Sequence, residues 1–88
     1  MKKIIVVQWQ RWSAGRPWPV NAVVAGAYKE GGSHQPQFIA RRRHQMSTLL
    51  GYAYQNGPFY ATFHGGELSF QDFDVLVDNS GVFPKEHF

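Results

Sequence analysis

The chain has 88 residues, no cysteine, 16% aromatic and 17% charged residues, and a formal net charge of +3. This length holds one domain, spanning residues 1–88, and the missing cysteines exclude disulfides and thiolate metal sites. High aromatic content with low charge excludes a disordered chain, and no apolar run reaches the ~18 residues of a membrane-spanning helix.

Lys2 and Lys3 precede the apolar residues 4–7, the charged and apolar start of a signal peptide, but the run stops at Gln8 and is too short for one. Residues 3–9 are expected to form a first strand. Without a leader or cysteines the expected location is cytoplasmic, with an unconventional route of secretion left open. Residues 11–19 hold Gly15, Pro17 and Pro19 and read as a loop presenting Trp12 and Trp18. A second strand is expected over 21–28. Residues 29–36, with Gly31-Gly32 and Pro36, read as a turn or loop. Strands follow at 37–44 and 49–54. Asn56-Gly57 is a strong hairpin signal because both residues tolerate positive φ. In 59–64, Phe59, Ala61 and Phe63 alternate with Tyr60, Thr62 and His64. Gly65-Gly66 turns the chain into 67–70, and 72–77 closes the set with Phe73, Val75 and Val77 on one face. Residues 78–88 form an irregular arm. The nearest helical candidate, 42–50, is short and ends at Gly51. Seven short strands with regular turn signals predict an all-β fold, an antiparallel sandwich or prism.

The residues that carry chemistry elsewhere are dispersed here. His34, His44, His64 and His87 show no i, i+2 or i, i+4 pair, so neither a metal nor another cofactor is expected. Ser13, Ser33, Ser47, Ser69 and Ser80 lie in no nucleophile elbow. Asp72 and Asp74 share one strand face and read as a solvated face rather than a glycosidase pair. The expectation is therefore a non-catalytic protein with no catalytic residue. Arg41-Arg42-Arg43 invites comparison with nucleic-acid binders, yet on a strand Arg42 faces away from its two neighbours. Nucleic acid is accordingly disfavoured as a partner. Three Trp, four Tyr and seven Phe exceed what one small core needs, so some are expected outside it. Such rings suit the apolar face of a sugar or a protein interface equally well.

Five pieces of the chain, in order, resemble the DM-nine repeat. Residues 19–26, PVNAVVAG, are similar to its "P-x-N-A-V-x-A-G" core, and residues 38–44, FIARRRH, to its "Y-V-[GA]-R-A-x-H" strand. Leu49-Leu50-Gly51-Tyr52 resembles "L-P-G-K", residues 63–67 resemble "Y-G-G-x-E", and residues 73–77 resemble "Y-E-V-L-V". Trp9 or Trp12 stands where that family opens with Trp, so the resemblance covers about residues 9–77. It implies an all-β unit that two repeats complete by exchanging strands. One repeat alone then implies a strand-swapped homodimer or a higher oligomer. It also implies a lectin of mannose type. The family's acidic site residue aligns with Tyr28, beside Lys29 and Glu30, and its site lysine aligns with Tyr52. The resulting candidate carbohydrate-binding set is Tyr28, Lys29, Glu30, Arg41, His44 and Tyr52, near the loop 29–37 and the Gly51-Tyr52 turn. In it Tyr52 stacks on a sugar, Glu30 accepts hydrogen bonds and Arg41 donates them. The expected partners are a glycan or monosaccharide and a second copy of the chain. The alternatives are a protein-interaction or oligomerisation module and, less favoured, an anionic-polymer binder.

Overall fold

The computed structural model describes residues 6–80, with the side chains of Tyr28, Glu30 and Ser33 outside that description. Residues 3–5 of the expected first strand, and residues 81–88 of the expected arm with His87, fall outside it as well. The described residues are all-β: β1 (Val7–Ser13), β2 (Val24–Glu30), β3 (Ser33–His44), β4 (Ser47–Ala53), β5 (Phe59–Phe63), β6 (Gly66–Phe70) and β7 (Asp72–Asp78).

All pairings are antiparallel, and the strands form one sheet in the order β1-β7-β3-β4-β5-β6. β2 lies off this path. It pairs with residues 33–38 of β3, while β7 takes Ala40 and Arg41 further along the same strand. The chain between β7 and β2 stitches the two together. Val23 donates from its amide to the Leu76 carbonyl at 2.9 Å. Asn21 donates from Nδ2 to the Asp78 carbonyl at 3.1 Å and to Asn79 Oδ1 at 2.7 Å.

Alternation places the core. Phe73, Val75 and Val77 on β7, Phe59 and Ala61 on β5, Leu49 and Ala53 on β4, and Phe38 and Ala40 on β3 are buried. The sheet must curl to bring them together. β5 stands three strands from β7, roughly 14 Å along a flat sheet, yet the rings of Phe59 and Phe73 meet at 5.6 Å. Burying this face supplies the main stabilisation, and its aromatic pairs add to it.

Three hairpins close on two-residue turns in which both residues have positive φ: Gly31-Gly32, Gln45-Met46 and His64-Gly65. This geometry matches the right-handed twist of the flanking strands. Gly31-Gly32 lets β2 and β3 run to the turn, so residues expected in a loop are mostly strand. The Gly65-Gly66 turn moves back one residue, because Gly66 pairs with Phe63. The Gln45-Met46 turn carries no sequence signal, and the seven-pair β3–β4 ladder ending at His44–Ser47 imposes it. Met46 is 93% exposed with φ 65°. Met46→Gly should therefore raise stability by about 1 kcal/mol, read as a higher urea midpoint, by relieving a left-handed backbone. An unchanged or lower midpoint would contradict the assigned turn.

Two expectations are corrected. Trp12 belongs to β1 and is 2% exposed; its Nε1 donates to the Arg16 carbonyl, and Trp18 packs edge-on against it at 5.3 Å. The turn residues that suggested a loop start only at Ala14, so the core claims both rings. Nor are Asp72 and Asp74 simply solvated. Asp74 binds Arg11 at 3.0 Å and Arg41 at 3.2 Å, and Asp72 binds Arg42 at 3.3 Å. β7 lies between β1 and β3, so its acids meet arginines from both neighbours. Arg41 also stacks over Trp9 and Arg42 over Phe70. Two of the three consecutive arginines are thereby tied into the fold.

Candidate functional site

The face of the sheet away from the core holds the surplus aromatics. On β4, Leu49 and Ala53 point inward, so Leu50 and Tyr52 point outward, 69% and 51% exposed. On β5, Phe59 and Ala61 are buried, and Tyr60 and Thr62 are turned out. Tyr52 and Tyr60 are register partners and stand side by side. Next to Tyr52, Gly51 has no side chain to hold β5 away. A Cβ on Gly51 would overlap the Tyr60 carbonyl oxygen.

This face carries an open trough of about 800 Å³. Tyr52, Tyr54 and Tyr60 line it, with Gln35 and Gln37 from β3, Thr62 from β5 and Glu67 from β6. Two of the polar groups hold each other in place. Gln37 Nε2 donates to the Tyr54 hydroxyl at 3.1 Å, and the rings of Tyr54 and Tyr60 meet edge-on at 6.1 Å. A smaller hollow of about 400 Å³ adjoins it, sharing Gln35, Tyr54 and Gly57 and adding His34, Gln55 and Asn56. Tyrosine faces supply apolar contact. Glutamine amides both donate and accept, and the Glu67 carboxylate accepts. Such a surface is chemically suited to a ligand that is apolar on its faces and rich in hydroxyls on its rim.

The sequence-derived candidates are only partly gathered here. Tyr52 lines the trough. Tyr28 stands on β2 opposite Gln35, and Glu30 closes the strand opposite Ser33; the side chains of Tyr28 and Glu30 lie outside the described residues. Lys29 is exposed opposite His34 and does not line either hollow. Arg41 is turned to Asp74 and Trp9, away from the trough. His44 lies on the opposite face of β3, packed on Phe63 at 4.9 Å and Phe70 at 5.5 Å. Arg41 and His44, three apart on a strand, cannot serve one face.

Sequence reading missed Tyr54, Tyr60, Thr62, Gln35, Gln37 and Glu67. Alternation had set Tyr60 and Thr62 on the face opposite Phe59. What was lacking was the register that brings Tyr60 beside Tyr52. Among the described residues no group of three or more His, Asp or Glu is placed to hold a metal ion, and no helix is long and apolar enough to cross a membrane. The chain matches no family model, no curated protein and no solved structure in the comparisons made.

Proposed function

We propose that this protein is a non-catalytic carbohydrate-binding module whose site is the trough of Tyr52, Tyr54 and Tyr60. The observation that carries the reading is the adjacency of these tyrosines to the Gln35 and Gln37 amides and the Glu67 carboxylate on one open face. Sugar rings present an apolar C–H face for stacking and vicinal hydroxyls for amide and carboxylate partners. The DM-nine resemblance points the same way and favours mannose-type sugars. Glu67 is the one carboxylate among the trough's lining residues, whereas hydrolysis of a glycosidic bond usually employs two. The test is an NMR titration of the folded chain with neutral monosaccharides and oligosaccharides. Saturable shifts confined to the trough residues are expected; silence from every sugar would remove the reading.

A second reading concerns self-association. β2 stands off the main strand path and pairs only with the first half of β3, and none of the described side chains from Val24 to Gln37 is buried. Val24 is 58% exposed. Such an arm suits strand exchange with a second copy, which would cover its free edges. Light scattering on the full chain should then give twice the monomer mass. A folded monomer at high protein concentration would exclude exchange.

A further inference from the structure

We infer that the trough takes a linear, neutral oligosaccharide of about three hexose units laid across the strands rather than a single sugar, an inference that rests on the carbohydrate-binding reading above. The lining comes from four adjacent strands, with Glu67 on β6, Tyr60 and Thr62 on β5, Tyr52 on β4 and Gln37 with Gln35 on β3, and from Tyr54, Gly57 and Pro58 between β4 and β5. Three steps of ~4.8 Å carry a chain roughly 14 Å across the strands, and the path runs obliquely, because Tyr52 pairs with Ile39 and the glutamines lie further along β3. A hexose in an extended chain advances by about one such step, so each strand contributes to a successive ring. Tyr52 and Tyr60 are cross-strand partners and would lie under neighbouring rings. The Gln35 and Gln37 amides would meet the hydroxyls of the ring beyond Tyr52.

Volume and charge point to the same ligand. The trough's volume of about 800 Å³ is far more than one hexose fills, and it opens past Gln35 and Tyr54 into the adjoining hollow. Among the described residues no Lys or Arg lines either space. Arg41, on the strand that bears the glutamines, is engaged by Asp74. Glu67, at the far end, repels an anionic sugar. A neutral chain avoids that repulsion and leaves no cation to be matched.

The experiment is calorimetry on the full chain with two series, mannose to β-1,4-mannopentaose and glucose to cellopentaose, with oligogalacturonate as the anionic comparison. In at least one neutral series, affinity is expected to rise about tenfold or more from the monosaccharide to the trisaccharide and to level off after the tetrasaccharide. Oligogalacturonate should bind far more weakly. Gln35→Ala, at an exposed position, should weaken the trisaccharide more than the disaccharide and shrink the step between them to about threefold or less. A monosaccharide that binds as tightly as its trisaccharide overturns the chain-length inference but spares the carbohydrate reading. So does oligogalacturonate binding as tightly as a neutral trisaccharide, or a length step unaffected by Gln35→Ala. Silence from every sugar, with the protein folded, overturns both.

Discussion

Gly51→Ala is expected to lower stability by about 3 kcal/mol or more, and the cause is local. Gly51 does not have positive φ, so its backbone would accept an alanine. The obstacle is space: the new methyl would overlap the Tyr60 carbonyl oxygen and approach Phe59 Cε1 at 3.0 Å. The oxygen belongs to the backbone of β5 and cannot turn aside. Relief would require β4 and β5 to part, and only two residue pairs, Tyr52–Tyr60 and Ala53–Phe59, join them. Parting would also pull Phe59, fully buried, from its contacts with Phe70 and Phe73. A chain of this size has a total stability on the order of 4–13 kcal/mol, so the loss is a large share of the whole. Urea denaturation would read it as a sharply lower midpoint. A variant with the parent midpoint would show that β4 and β5 are not as close as described.

Tyr52→Ala should leave the fold nearly untouched and lower sugar affinity tenfold or more, about 1.4 kcal/mol. Tyr52 is half exposed on the trough face, and substitutions at such positions change stability by only about 0.5 kcal/mol. Its ring stands in the proposed site with Tyr60 beside it on β5 and Ile39 beside it on β3, the glutamines lying further along that strand. An aromatic of this kind carries a disproportionate share of binding energy. Tyr52→Phe keeps the ring and should stay within about threefold of the parent, which separates stacking from a hydroxyl contact. The comparison variant is Arg43→Ala, on an exposed residue that does not line the trough. It should bind as the parent does. Equal affinities for Tyr52→Ala and the parent would move the site away from this face.

These two residues mark how far the sequence could be read. The alternation of Phe73, Val75 and Val77, and of Phe59 and Ala61, was visible in the chain and is the alternation of the core. Gly31-Gly32 predicted a turn and forms one, although the strands on either side run further than turn composition indicated. Gln45-Met46 gave no warning, since its conformation is imposed by the ladder behind it. Trp12 was assigned to a loop because Gly15, Pro17 and Pro19 follow it, but an aromatic next to a strand end is drawn into any core within reach. Tyr52 was identified as a site residue through its place in a motif. Tyr60 was not, because the seven positions between them include the whole turn and say nothing of register.

Local chemistry therefore determined the strand content, the inward face of each strand and most of the turns, because side-chain period and positive φ act within a few residues. Tertiary structure alone decided which strands lie side by side, where the sheet bends, and which outward residues share a surface. Strand order depends on loop closure and burial over the whole chain, and an approach as close as that of Gly51 to Tyr60 exists only where a second strand arrives. For that reason Asp74 found arginines on two other strands, and tyrosines from two strands came to line one trough.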